Sequence, residues 1–310
     1  MDWKRRHVLG LADFRPEEME FVVDTARSME EVLTRDIKKV PALRGKTTVN
    51  LFFEASTRTR TSFEIAGKRL SADVVNFSSA TSSVTKGETL LDTAKNIEAM
   101  KPNILILRHP ASGAPHFLTR FVSCSIINAG DGANEHPSQG LLDLYTILKA
   151  KGKVEGLKIA IVGDILHSRV ARSDLHSLGR MGGKLWLCGP PTLVPREMER
   201  TGARVTYDIR EAVKDADVVM MLRIQLERQK TAYFPSLREY SRMFGLNRSV
   251  FSLAKEDAVI LHPGPVNRGI ELSDELADSA ASRILNQVES GVAIRMALLY
   301  LLAGGHDASH

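Results

Sequence analysis

The stretch Thr47-Thr48-Val49-Asn50-Leu51-Phe52-Phe53-Glu54-Ala55-Ser56-Thr57-Arg58-Thr59-Arg60-Thr61-Ser62-Phe63 begins in β-branched and aromatic residues and ends in hydroxyls and guanidiniums. Thr47 to Phe53 has the composition and alternation of a strand. From Ser62 to Leu70, the residues Phe63, Ala66, Gly67 and Leu70 recur at helical spacing, so a strand feeds a helix. Ser56 to Thr61 then forms the helix N-terminus, where N–H groups without intrahelical partners and the positive end of the helix dipole face any bound anion. A capped helix needs one Ser or Thr. Here Ser56, Thr57, Thr59 and Thr61 stand with Arg58 and Arg60 as six side-chain donors in a row. Arg58 adds a planar fork suited to phosphate oxygens. The segment is an anion cradle.

Outward from it, strand-like runs recur with helical patterns between them: Asp73 to Phe77, Ile104 to Leu107, Ser125 to Ala129, Leu157 to Val162, Lys184 to Cys188, Arg204 to Tyr207, Val218 to Leu222 and Ala258 to Leu261. This alternation predicts an α/β fold of two domains, each a parallel sheet flanked by helices on both faces. A length of 310 residues accommodates two such cores. The helical pattern from Asn134 to Ala150 and the polar turn Lys151 to Gly156 divide the chain. The expected organisation is a first domain over 1–135, a connecting helix over 136–150 and a second domain over 151–284. Helical spacing is also present from Pro16 to Leu33, and from about Ser279 to Leu302 through Leu285, Val288, Val292, Met296 and Leu299.

Composition narrows the function. The net charge of +5 is mild and spread along the chain, without a basic block or aromatic-interleaved patch, so anionic small substrates fit better than nucleic acid. Cys124 and Cys188 lie in separate apolar runs and read as buried free thiols of a reducing compartment. Two cysteines without clustered histidines cannot complete a structural zinc site. The N-terminus lacks a secretory h-region and no apolar stretch reaches the length of a membrane span, so a cytoplasmic location is expected.

In open parallel sheets, ligands bind beyond the carboxyl ends of the strands, which selects the loops that matter. Arg108-His109-Pro110 follows one strand, and His136-Pro137-Ser138-Gln139 opens the connecting helix. An Arg and a neutral His converging on one oxygen polarise a carbonyl and stabilise an oxyanion; His109 beside them reads as structural. Ser78 to Glu88, with Ser82 and Lys86-Gly87, is a long polar loop of the kind that serves as a lid. Gly163-Asp164 stands where a dinucleotide fold carries its phosphate turn, but the glycine fingerprint is absent, which disfavours a nicotinamide enzyme. Arg169, Arg223 and Gln225 offer groups for carboxylates. His262-Pro263-Gly264-Pro265 ends the last strand with carbonyl acceptors suited to an NH₂ group, or simply with a rigid turn.

These motifs, in this order over nearly the whole chain, resemble the aspartate/ornithine carbamoyltransferases. The resemblance implies a carbamoyl-phosphate domain completed by a C-terminal helix over about 285–310, an aspartate domain, and an active site between them. It implies that Ser56, Thr57, Arg58 and Thr59 hold the phosphate. Thr59, Arg108 and His136 would take the carbamoyl oxygen, and Gln139 with the Gly264 and Pro265 carbonyls the carbamoyl NH₂. Arg169, Arg223, Gln225 and Lys86 would bind L-aspartate, with Ser82 and Lys86 contributed by a neighbouring subunit of a homotrimer. No cofactor, metal or membrane is implied. Association with regulatory chains or dihydroorotase stays open.

The ornithine branch shares the phosphate half, but its His-Cys-Leu-Pro turn is replaced here by His262-Pro263-Gly264-Pro265, and the cations of the second half favour a dicarboxylate. A non-catalytic phosphate-binding regulator on the same fold is the reading from another class. The presence of both half-sites speaks against it.

Overall fold

The computed structural model describes residues 3–78, 88–224 and 236–304. They form two compact units, Met1–Leu141 with Glu289–His310, and Leu142–Val288.

In the first unit, α1 (Pro16–Thr34) precedes β1 (Thr47–Phe52), α2 (Thr57–Arg69), β2 (Asp73–Ser78), α3 (Leu90–Ala99), β3 (Ile104–His109), α4 (Ala114–Leu118), β4 (Ser125–Asp131) and the start of α5 (Pro137–Lys151). The strands pair in parallel in the order β2-β1-β3-β4. Side chains alternate across this sheet as the pleat requires. Val49, Leu51, Leu105, Leu107 and Ile126 pack with Ala94 and Ile97 of α3 and Leu118 of α4 on one face. The opposite face meets α2, whose Gly67 lies so near Thr48 of β1 and Val74 of β2 that a Cβ there would come within 2.7 Å of Val74 Cγ2. The first turn of α2 is wholly polar, so the helix is held by Phe63, Ala66 and Leu70, all at most 1% exposed. A buried Phe or Leu contributes roughly 1.5–3 kcal/mol, more than the helix propensity of any residue in that turn.

The second unit continues α5 into β5 (Lys158–Val162), α6 (Arg169–Arg180), β6 (Lys184–Cys188), β7 (Arg204–Thr206), α7 (Ile209–Val213), β8 (Val218–Met221), α8 (Leu237–Phe244), α9 (Arg248–Phe251), β9 (Val259–Leu261) and α10 (Asp274–Ala277). Its parallel sheet has the order β7-β6-β5-β8-β9. Ala160, Val162, Val219, Met221 and Ile260 face α7, α8 and α9, while α6 lies against β6. α6 also carries Asp174, fully buried beside Asp143, and burial and that neighbour push its carboxyl well above the usual range.

The last helix, α11 (Ile284–Gly304), begins later than the helical spacing predicts. Ile260 N–H bonds the Ala281 carbonyl and Arg283 N–H bonds the Ile260 carbonyl, so residues 281–283 pair alongside β9 and cannot be helical. The expected apolar stripe is also buried only in part. Met296 and Leu299 are inaccessible, whereas Leu285 and Val288 are 82% and 52% exposed. Both cysteines are free and buried, and burial raises the Cys124 thiol to about 12.

Candidate active site

Strand order locates the ligand region in each unit. In the first, the chain leaves β1 for β2 on one side and returns to β3 on the other, so the switch point lies between β1 and β3. Crevices of this kind, at the carboxyl ends of diverging strands, accept ligands. The anion cradle follows β1 and Arg108 ends β3, which brings them to the same switch point.

Ser56 is the N-cap of α2, yet its hydroxyl makes no capping bond. The first-turn N–H groups have no earlier helical carbonyl to pair with, so donors from backbone and side chain face outward together. Thr57 and Arg58 are exposed, Ser56 is half-buried and Thr59 is buried. Thr59 therefore sits deepest in the cradle.

Arg108 is aimed by its neighbours. Its Nε lies 3.3 Å from Glu54 Oε2 and its Nη1 donates to the Ala129 carbonyl at 3.2 Å. That carbonyl is presented by an irregularity, because Leu107 pairs with Asn128 while His109 pairs with Asp131, leaving an extra residue in β4. Such a bulge re-aims groups at the end of a strand. Gly130, at φ 115°, supplies a backbone conformation that other residues rarely adopt. His109 has a structural role here: its Nδ1 accepts from Ala111 N–H at 3.0 Å, its ring lies 5.0 Å from that of Phe53, and burial lowers its pKa.

His136 and Gln139 are buried at the entry to α5, with Ser138 Oγ 3.5 Å from His136 Nδ1. The loop leading to them is fixed by acceptors that the sequence did not single out. Asp131 accepts from Gly113 N–H at 2.7 Å, Asn128 Nδ2 at 2.7 Å and Glu135 N–H at 3.1 Å. Glu135 in turn accepts from Leu11 N–H at 2.7 Å. The available signal was Asp131-Gly132 directly after a strand, a pattern that supplies local N–H acceptors.

In the second unit, the chain runs β5, β6, β7 outward and then crosses to β8, placing the switch point between β5 and β8. Arg169 opens α6 after β5, and Arg223 follows β8. Gly163, at φ 141°, lets the two strand ends approach: a Cβ would lie 2.8 Å from the Leu222 carbonyl oxygen. Asp164 ties the connecting loop by accepting from His167 N–H at 3.1 Å, and Ser168 caps α6 through Ala171 N–H. Arg169 is 4% exposed and Arg223 is half-buried. His262 to Pro265 follow β9, the neighbour of β8.

The cradle, Arg108, His136 and Gln139 thus belong to the first unit, and Arg169, Arg223, Gly264 and Pro265 to the second. Ser82, Lys86 and Gln225 lie outside the described residues. Among the described residues no group of three or more His, Cys, Asp and Glu could hold a metal ion. Nor is any described helix long and apolar enough to cross a membrane.

Two parallel sheets, with hydroxyls and helix N–H groups at the switch point of one unit and guanidiniums at that of the other, give each unit a place suited to an anionic group. Residues 6–149 match the model of the aspartate/ornithine carbamoyltransferase carbamoyl-P binding domain, and residues 155–302 that of the Asp/Orn binding domain. The chain belongs to the aspartate/ornithine carbamoyltransferase family. It is 62% identical over 306 residues to the aspartate carbamoyltransferase catalytic subunit of Geotalea daltonii, covering 98% of each chain. It is 61% identical over 310 residues to that of Geobacter sulfurreducens, covering 100% of both. Among solved structures it is similar to the aspartate transcarbamoylase of Trypanosoma cruzi in complex with carbamoyl aspartate and phosphate, with a TM-score of 0.87, 29% identity and 97% of each chain covered. The ornithine carbamoyltransferase of Pyrococcus furiosus gives a TM-score of 0.86 at 28% identity, over 98% of this chain and 99% of that one.

Proposed function

We infer that the chain transfers the carbamoyl group of carbamoyl phosphate to the α-amine of L-aspartate, giving N-carbamoyl-L-aspartate and phosphate, a step of pyrimidine biosynthesis. The observation that carries this is the pair of switch points: hydroxyls, helix N–H groups and Arg108 at one, Arg169 and Arg223 at the other.

Ser56, Thr57, Arg58 and Thr59 hold the phosphate. Thr59, the buried member, also reaches the carbamoyl oxygen with Arg108 and His136. The neutral amine attacks the carbamoyl carbon, charge develops on that oxygen, and preorganised donors stabilise it more in the transition state than in the ground state. The C–O bond to phosphate then breaks. The departing phosphate accepts the amine proton, so no side chain acts as nucleophile or base. Gln139 and the Gly264 and Pro265 carbonyls take the carbamoyl NH₂. Arg169 and Arg223, with Gln225 and Lys86, receive the aspartate carboxylates, and holding both substrates together removes entropy from the barrier.

A homotrimer with shared sites is part of the proposal, Ser82 and Lys86 coming from a neighbouring chain; its support is the match of Lys86-Gly87-Glu88-Thr89 to the family pattern. A cytoplasmic location is also part of the proposal, supported by the two free, buried cysteines. One incubation tests the reaction: purified chain with carbamoyl phosphate and either aspartate or ornithine. Carbamoyl aspartate is expected, and citrulline in its place would overturn the assignment.

A further inference from the structure

His262 was singled out only as part of a turn, yet it is the most connected side chain of that turn. It is fully buried against Glu271, its Nε2 3.2 Å from Glu271 Oε1. Its Nδ1 accepts from Gly264 N–H at 2.8 Å. Since a backbone N–H can only donate, Nδ1 presents a lone pair and the ring proton resides on Nε2, donated to the Glu271 carboxylate. Glu271 Oε1 also accepts from Asn267 N–H at 2.6 Å. The His262 backbone N–H donates to Gln287 Oε1 at 2.8 Å, and Gln287 Nε2 donates to Asp143 Oδ1 at 2.6 Å.

These bonds do what packing alone does not. Apolar residues at both 262 and 271 would fill this volume without a buried carboxylate, whose desolvation is costly. The His–Glu pair adds direction: it fixes the ring plane so that Nδ1 anchors the peptide on the amino side of Gly264, while Asn267 N–H on Glu271 anchors the chain beyond Pro265. Gly264, at φ 68°, and Pro265 lie between the two anchors. The two peptides that bear their carbonyls are thereby bracketed by anchored peptides before any ligand arrives, and such preorganisation is the condition under which a hydrogen bond discriminates.

Resting on the assignment of these carbonyls to the carbamoyl NH₂, we propose that His262 is a positioning residue for specificity: by holding Gly264 through Nδ1, it selects carbamoyl phosphate over acyl phosphates with a methyl group in place of the NH₂. Acetyl phosphate is the matched probe, as it keeps the phosphate and the carbonyl and cannot donate to the turn.

The test separates the two ring nitrogens. In His262→Asn the amide oxygen stands near the place of Nδ1, and in His262→Gln the amide nitrogen stands near that of Nε2. Wild-type enzyme is measured first for carbamoyl aspartate formation, for the carbamoyl phosphate KM and for the inhibition constant of acetyl phosphate. His262→Gln is expected to raise that KM about ten-fold, the worth of one hydrogen bond, with acetyl phosphate affinity within about two-fold. His262→Asn is expected to retain most of the wild-type ratio. Both constants are independent of the amount of folded enzyme. Should His262→Gln not fold, His262→Phe, which keeps the ring volume and deletes both nitrogens, is expected to lose the same discrimination. Parallel weakening of both ligands in all variants, or an Asn variant no better than Gln, would overturn the proposal. Absence of carbamoyl aspartate from the wild-type reaction would instead defeat the underlying function.

Discussion

Arg108 is held on two sides, by Glu54 and by the Ala129 carbonyl, so its guanidinium is directed before substrate arrives. Arg108→Ala is accordingly expected to lower kcat about 10²–10³-fold, the usual effect of removing one oxyanion donor, with little change in the aspartate KM. Arg169→Ala and Arg223→Ala are expected to do the reverse, raising the aspartate KM about ten-fold or more with smaller changes in kcat; steady-state kinetics distinguish the two patterns. The positions of Arg108, Arg169 and Arg223 at strand ends were legible in the sequence, because each follows an apolar strand-like run. Asp131, Glu135 and Glu54 were not, because their partners are the N–H groups of Gly113 and Leu11 and the guanidinium of Arg108, brought near only by folding.

Glu18 gives a second residue-scale expectation. Its carboxylate accepts from Arg5 Nε at 2.8 Å and Nη2 at 2.9 Å, and this hydrogen bonding lowers its pKa from 4.5 to about 2. The folded value lies below the unfolded one, so the pair contributes stability above the unfolded pKa and loses it on acidification. The stability difference between wild type and Glu18→Gln, from denaturant unfolding, should be largest at neutral pH and shrink from about pH 4.5 towards 2. A difference unchanged across that range would exclude the linkage.

At the scale of elements, the nine strands among the described residues were all visible as strand-like runs, most of them apolar because buried parallel strands need continuous hydrophobic sequence. Strand order was not visible, and with it the two switch points, since order depends on which crossovers pack. The late start of α11 has a similar origin: Ser279 to Arg283 fit a helical pattern locally, and pairing with Ile260 overrides it. Gly163 is where element packing and function meet. Gly163→Ala introduces both an unfavourable φ and a contact with the Leu222 backbone, one residue before Arg223. It should destabilise the protein by about 1–3 kcal/mol and raise the aspartate KM, with the carbamoyl phosphate KM little changed, as read by thermal unfolding and kinetics. Normal aspartate dependence in this variant would show that the strand ends need not be so close.

For the whole molecule, the proposed sharing of sites between chains has a direct test. Lys86→Ala and Arg58→Ala chains, each inactive alone, are mixed under conditions that permit exchange. In a trimer each hybrid carries one site with both residues intact, so an equal mixture should recover about a quarter of wild-type activity. No recovery would place Lys86 in the same chain's site.

The division of the chain also bears on how it is made. Arg295 of α11 is buried, donates from Nη1 to Ser62 Oγ on α2 at 2.8 Å, and lies 5.2 Å from the Phe63 ring. The helix that opens at Thr57 is thus braced by a residue 233 positions beyond Ser62. On the ribosome, all of Leu142–Val288 emerges before that brace exists. Domains usually mature in order of synthesis. Here the unit that begins first is completed after the other, and the segment Ser56 to Thr61 acquires its final support only once all of Leu142–Val288 has been made.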